Sequence, residues 1–314
     1  MFDRSNTVIA IAGPTAVGKT KFAIMLAQAF DGEVVSCDSM QLYKYMDIGS
    51  AKPTPEELSM AKHHLVDMID PRDEFSVAQY QKLAKTAIKD ILSRGKTPII
   101  SGGTGLYLNS LIYDMDFSSV PEDNSYRSEL EAIAEQEGGR GTLHKRLAEL
   151  DPKAASLIHP NNAKKVIRAL ERLKEGEGQI KQFSDIDSET KDYDIILIGL
   201  TRDRAELYDR VNRRVDILMN EGLLDEVKGL MDMGLTQENI SMKGIGYKEL
   251  MDHLDGRCTV DDAVDTVKKN TRHYAKKQLT WFRRYEKMKW FDISGYDNDE
   301  DAFEDMKEWL LKNK

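Results

Sequence analysis

The chain has 314 residues, enough for roughly two domains, and its composition of 40% hydrophobic and 32% charged residues with 21 Gly and 8 Pro excludes collagen-like, low-complexity and disordered classes. No apolar run reaches membrane-spanning length, Met1-Phe2-Asp3-Arg4 carries no signal-peptide pattern, and the isolated Cys37 and Cys258 build neither a disulfide framework nor a zinc site, so a cytoplasmic protein with no membrane partner is expected. The net charge of −9 argues against a polyanion partner for the chain as a whole, but between Lys268 and Lys289 nine Lys and Arg stand against the single Glu286, a local pattern that can mark a phosphate- or nucleic-acid-binding face.

Residues 8–12 are an apolar run ending at Gly13-Pro14, and residues 21–29 carry Phe22, Met25, Leu26 and Ala29 at helical spacing, which predicts strand, loop and helix. Between them, Gly13-Pro14-Thr15-Ala16-Val17-Gly18-Lys19-Thr20 matches the phosphate-loop pattern. Successive backbone N–H groups and the helix N-terminus would converge there on phosphate oxygens, Lys19 would add a point charge, and the Thr20 hydroxyl would serve as a ligand for Mg²⁺. Such a loop reads a di- or triphosphate and reads no nucleoside.

Residues 33–36 predict a second strand, with Asp38 just past its carboxyl end, at the sheet edge where ligands bind. General base or hydrogen-bond acceptor, Mg²⁺ ligand and turn cap are the three roles open to it. Residues 77–92 predict a helix with Tyr80, Leu83, Ala87, Ile88 and Ile91 on one side, and residues 98–101 a third strand. That strand ends in Ser101-Gly102-Gly103-Thr104-Gly105, without the carboxylate usual in a P-loop ATPase. This glycine-rich stretch is either a tight strand-to-helix turn or an opening for a second substrate. His63, His64 and His159 read as structural, and Met46, Met60 and Met68 as packing.

The alternation stops between residues 114 and 193. This stretch opens with residues 117–121, holds helical segments at 126–136, 143–150 and 163–174, and closes with a polar loop at 184–192. A fourth strand at 195–200 then resumes the core, followed by helices at 207–218 and 223–230. The expected fold is therefore α/β: a P-loop NTPase-like parallel sheet core whose first part is residues 1–113, a helical insertion at 114–193, and residues 194–314 returning to the core with helices at the C-terminal end.

The segment 271–284 interleaves Arg272, Lys276, Lys277, Arg283 and Arg284 with Tyr274, Trp281 and Phe282. On one helix Arg272, Lys276, Arg283 and Lys287 would lie on or near one face, a pattern suited to RNA, with cations on phosphates and aromatics on splayed bases. The alternative is an amphipathic helix whose aromatics are core. Arg202, Arg204, Arg210, Arg213 and Arg214 form a second basic cluster that a leaving diphosphate could use. The acidic stretch 292–308 reads as a tail whose role beyond solubility the sequence leaves open, and a monomer is the default expectation.

Together these residues resemble the tRNA dimethylallyltransferase (tRNA isopentenyltransferase) family in its bacterial form. The resemblance covers almost the whole chain. It runs through Gly13 to Thr20, Asp38-Ser39-Met40-Gln41-Leu42-Tyr43, Met46-Asp47-Ile48-Gly49, Ala51-Lys52-Pro53, His64-Leu65, Asp70-Pro71 and Gly102 to Tyr107. It continues through Asp151-Pro152, Ile158-His159-Pro160-Asn161, Arg168-Ala169-Leu170-Glu171, Gly246-Tyr247 and Gln278-Leu279-Thr280-Trp281.

The resemblance implies transfer of a dimethylallyl group from dimethylallyl diphosphate to N6 of adenosine 37, in the anticodon stem-loop of tRNAs reading codons that begin with U. It implies that Gly13 to Thr20 hold the diphosphate with Mg²⁺, that Asp38 is base or acceptor at N6, and that Thr15 and Arg214 assist departure of diphosphate. It further implies tRNA contacts at Asp38, Ser39, Met40, Gln41, Thr104, Arg127, Lys164, Lys165, Val166, Ile167, Arg168, Lys243, Gly246, Tyr247 and Lys248. Arg272, Lys276, Trp281 and Arg283 join them from the basic segment. The alternatives are a P-loop small-molecule or nucleotide kinase with ATP as donor, a nucleotide-dependent RNA-binding module, and a free-nucleotide prenyltransferase; the kinase leaves the basic segment unexplained and the binding module leaves Asp38 unexplained.

Overall fold

Val8 to Ala12 are buried without exception, as the apolar run requires, and form the centre of a parallel sheet covered on both faces. The computed structural model describes residues 6–113, 115, 125–174 and 189–312. In chain order it has β1 (Thr7–Ala12), α1 (Lys19–Ala29), β2 (Gly32–Ser36), α2 (Pro55–Met60), β3 (His63–His64), α3 (Val77–Ser93), β4 (Thr97–Gly102) and α4 (Gly105–Ile112). Then follow α5 (Ser125–Glu135), α6 (Gly139–Leu150), α7 (Pro152–Leu157) and α8 (Ala163–Lys174). The chain continues with β5 (Asp194–Thr201), α9 (Arg204–Asn220), α10 (Leu223–Asp232), α11 (Tyr247–Leu254), α12 (Val260–Phe282), β6 (Lys289–Asp292) and α13 (Asp299–Lys312).

The six strands lie in the order β3-β2-β4-β1-β5-β6. All neighbours are parallel, with Ile9 level with Ile99 on one side and Ile196 on the other. Because all six strands are parallel, the loops that follow β1, β2, β4 and β5 all leave from one edge, where open α/β sheets bind ligands. The expected strands are present, each one or two residues longer than the apolar run that signals it.

The chain divides into two units, Met1–Tyr113 with Thr190–Lys314, and Asp114–Glu189. Residues 190–193, read from sequence as insertion, belong to the sheet unit: Thr190 N–H donates to the Ile112 carbonyl at 2.8 Å and the Tyr193 hydroxyl to the Leu111 carbonyl at 2.8 Å. Residues 117–121 and 184–188 lie outside the described residues. In the smaller unit α5 to α8 surround Leu130, Leu143, Leu147, Val166 and Leu170.

Two expectations are corrected. The stretch after Asp292 is no tail: Ile293, Ala302, Phe303, Met306 and Leu310 pack into the main core with Phe22, Leu26, Ile198 and Phe291. And α12 ends at Phe282, so Arg283 caps it and Lys287 lies beyond it rather than on a shared helical face.

Candidate active site

The loop after β1 makes a phosphate cradle. Gly18 takes φ 109°, a left-handed conformation that glycine adopts freely, and turns the chain into α1. Backbone N–H groups from Ala16 to Thr20 have no acceptor among the described residues, so a row of donors opens at a helix N-terminus. Lys19 Nζ donates to the Pro14 carbonyl at 2.8 Å, folding the cation back along the loop. From behind, Arg202 Nε donates to the Val17 carbonyl at 3.1 Å and Arg210 Nε to the Ala16 carbonyl at 2.9 Å.

The five arginines after β5 therefore do not act as one cluster. Arg202 is fixed further by Glu206 at 2.7 Å and Asp299 at 3.0 Å, Arg213 pairs with Asp209 at 2.6 Å, and Arg204 lies over the Tyr208 ring. Arg214 alone among them lines the cavity and has no hydrogen bond or ion pair among the described residues. Burial lowers its pKa, an effect opposed by Asp38. Burial likewise pushes the Lys19 ammonium down to about 8, again against the attraction of Asp38. Two desolvated cations beside open N–H donors form a site for a multivalent anion.

Asp38 follows β2 and faces this cradle. Its Oδ1 accepts Met40 N–H at 2.9 Å, the Asx turn weighed from sequence, and its other oxygen has no hydrogen-bond partner among the described residues. The cap thus occupies one oxygen of the carboxylate and leaves the other available at the cavity. Thr104, opening α4, accepts Ser39 N–H at 3.0 Å and so holds the turn from β4.

The stretch Gly102 to Gly105 is a tight turn. A Cβ on Gly103 would stand 2.2 Å from Gln278 Nε2. Gln278, 5% exposed on α12, is a site residue that the sequence does not single out: its Nε2 donates to the Gly103 carbonyl and its Oε1 accepts Thr15 N–H, both at 2.9 Å. It lies within the Gln278-Leu279-Thr280-Trp281 block, and the signal available was an amide in the middle of an otherwise cationic and aromatic segment.

A cavity of about 1020 Å³ joins these parts. Thr15, Lys19, Thr20, Asp38, Ser39, Met40, Gln41, Arg214, Lys243, Gly246 and Tyr274 line it. Other residues expected at RNA stand apart from one another in character. Lys248, Lys276 and Arg283 are exposed, while Arg272 is half-buried with Nη1 donating to Asn212 Oδ1 at 2.5 Å. Trp281 is half-buried with the Arg284 guanidinium 5.0 Å above its ring.

Three expected contact residues are core instead. Val166, Ile167 and Tyr247 are buried, at 0%, 5% and 1% exposure, and the Tyr247 hydroxyl donates to Glu226 at 2.9 Å. In the same smaller-unit helix Lys164 and Lys165 are exposed, and Arg127 makes a bidentate pair with Glu171 at 2.8 and 3.0 Å, with Arg168 at 3.8 Å from it.

Among the described residues no helix is long and apolar enough to cross a membrane, and no three His, Cys, Asp or Glu side chains converge as a metal cluster.

A family model described as IPP transferase matches residues 41–285. The chain is 49% identical over 306 residues to a tRNA dimethylallyltransferase of Alkaliphilus oremlandii, covering 98% of this chain and 96% of the relative. The crystal structure of the full-length tRNA isopentenylpyrophosphate transferase of Bacillus halodurans is 46% identical with TM-score 0.72, covering 98% of this chain and 97% of that one. A eukaryotic dimethylallyltransferase captured acting on tRNA is 28% identical with TM-score 0.83, covering 98% of this chain and 80% of that one. With a family match across most of its length and near-full-length relatives at this identity, the chain belongs to the IPP transferase family.

Proposed function

We propose that this protein transfers a dimethylallyl group from dimethylallyl diphosphate to N6 of adenosine 37 in tRNAs reading codons that begin with U. One observation carries the reading: an anion cradle with two unneutralised cations, Lys19 and Arg214, shares a cavity with one carboxylate oxygen left free for proton transfer, that of Asp38. A kinase reading lacks comparable support, since β4 ends at Gly102 without a carboxylate and the near-full-length relatives carry the transferase name.

The chemistry follows from these parts. The adenine amine is a weak nucleophile because its lone pair is delocalised into the ring, and the allylic carbon tolerates positive charge. The N6–C1 bond forms as the C1–O bond breaks, the bonding pair leaves on the diphosphate oxygen, and the N6 proton passes to Asp38. Lys19, Arg214, the Thr15 hydroxyl and the N–H groups from Ala16 to Thr20 stabilise charge growing on the departing diphosphate.

Thr20 lines the cavity and its hydroxyl has no hydrogen-bond partner among the described residues, so this oxygen fits as a ligand that would hold Mg²⁺. Mg²⁺ held there would supply neutralisation of diphosphate charge.

A base stacked in the anticodon stem-loop must be turned out to reach the cavity. Ser39, Met40, Gln41, Thr104, Lys243 and Gly246 receive it. Lys248, Arg272, Lys276, Trp281 and Arg283 contact the RNA from the sheet unit, and Arg127, Lys164, Lys165 and Arg168 from the helical insertion.

The test uses two anticodon stem-loop RNAs that differ only at the acceptor position, adenosine in one and inosine in the other. With dimethylallyl diphosphate and Mg²⁺, the adenosine RNA acquires the prenyl group and the inosine RNA, lacking the 6-amino group, does not. Modification of both, or of neither, rejects the proposal.

A further inference from the structure

The segment from Asp47 to Pro53 lines the cavity and has no role in the proposed reaction so far, and Tyr45 leads into it. Its backbone is held in an unfavourable shape. Tyr45 and Ala51 take φ of 63° and 48°, and Leu65 and Asp67 in the adjoining loop take 60° and 61°, all left-handed for residues with a Cβ. Non-glycine residues stay in that region only where their surroundings over-determine them.

Glu226, on α10, supplies much of that constraint. Its Oε2 accepts Asp47 N–H and Ile48 N–H, both at 2.7 Å, and its Oε1 accepts Gly49 N–H at 3.0 Å and the Tyr247 hydroxyl at 2.9 Å. Four donors converge on one carboxylate, three of them successive backbone amides forming an anion nest. Glu226 does not itself line the cavity.

The clamp is transmitted toward the carboxylate that takes the proton. The Ala51 carbonyl accepts Gln41 Nε2 at 3.1 Å, while Gln41 Oε1 accepts the Ser36 hydroxyl at 2.9 Å. Gln41 follows directly on the turn in which Met40 N–H fixes Asp38.

We infer that Glu226 is a positioning residue for the transfer reaction: it fixes the 47–53 wall of the cavity and, through Gln41, the turn that presents Asp38, while leaving the diphosphate cradle untouched. This inference rests on the transfer reading above. Glu226→Gln is the discriminating variant, because an amide turned either way sets NH₂ against at least one backbone N–H that needs an acceptor: Asp47 and Ile48 on one side, Gly49 on the other, where only the Tyr247 hydroxyl can turn to accept.

Two quantities are measured on the full chain: kcat for transfer to tRNA, and the dissociation constant of inorganic diphosphate without RNA. For Glu226→Gln we expect kcat to fall about tenfold or more with diphosphate affinity within about twofold of wild type. Glu226→Asp, which keeps the carboxylate on a shorter arm, recovers part of that kcat; it carries the test by itself if the Gln variant does not fold. Unchanged kcat in the folded variant overturns the inference, as does a parallel loss of kcat and diphosphate affinity, which marks general loss of structure. The two failures are distinguishable: a wild type that modifies no tRNA removes the transfer reading and this inference with it, whereas an active wild type matched by the variants removes the role of Glu226 alone.

Discussion

Gln278 Oε1 accepts Thr15 N–H at 2.9 Å, tying the phosphate loop to α12, the helix that also carries Lys276 and leads into Arg283. The same amide holds the Gly103 carbonyl at 2.9 Å, so one side chain sets the spacing between the loops that follow β1 and β4. Gln278→Ala removes both contacts and leaves the Gly103 carbonyl without its donor, at about 1 kcal/mol for each bond. The expected result is a rise in KM for dimethylallyl diphosphate of about tenfold, read from steady-state kinetics.

How much of this was legible follows from the range of each interaction. The phosphate loop is eight contiguous residues whose pattern encodes its own geometry, and Asp38 is marked by the strand before it. Gln278 is 263 residues from its partner Thr15, and no local pattern reports such a contact. Arg214 was read among five arginines, and only packing separates it from Arg202 and Arg210, which brace loop carbonyls. Some information was present but hidden. Ala302, Phe303, Met306 and Leu310 have helical spacing beneath an acid-rich surface, and the buried Val166 and Ile167 are on the inner side of α8 although a motif-by-motif resemblance carried them over as RNA contacts. The strands β3 and β6, two and four residues long, are too short to show periodicity.

With Lys19 at the diphosphate as proposed, diphosphate binding is expected to depend on pH. Burial sets its pKa at about 8 in the free protein, and a bound anion favours the protonated form, so the complex titrates higher. Affinity for inorganic diphosphate is expected to fall as pH rises through about 8, by up to roughly tenfold per unit. Calorimetry in two buffers of different ionisation enthalpy checks this: binding takes up protons above that pH and none through Lys19 well below it. Lys19→Met removes this contribution.

In the proposed reaction, Asp38 takes the proton and Arg214 stabilises the leaving group, and variants of the two are expected to separate these roles. Asp38→Ala is expected to lower kcat by about 10²–10⁴ while RNA and diphosphate still bind. Arg214→Ala is expected to weaken both turnover and diphosphate affinity, with RNA affinity largely retained. Filter binding, diphosphate calorimetry and single-turnover kinetics on each variant give the comparison. Near-normal turnover of Asp38→Ala would remove the base assignment.

Acid stability depends on Glu33, 3% exposed at the opposite end of β2. Arg94 holds its two oxygens at 2.5 and 2.7 Å and His64 Nε2 approaches at 2.7 Å, which draws the Glu33 pKa down to about 2. A carboxyl depressed in the folded state stabilises the fold above its unfolded pKa, and that contribution fades as pH falls toward the folded value. The pair contributes at most about 3 kcal/mol, lost between roughly pH 4.5 and 2. Urea unfolding across that window is expected to show this loss in the wild type and a flatter profile in Glu33→Gln.

The central claim is that the phosphate loop serves a prenyl diphosphate rather than a phosphoryl donor. Purified protein is incubated with unmodified tRNA, Mg²⁺ and labelled dimethylallyl diphosphate, with ATP present in a parallel tube, and the RNA is digested to nucleosides. Label on adenosine in the tube without ATP is the predicted result. No label on adenosine, with ATP consumed and phosphate delivered to an acceptor, would contradict it.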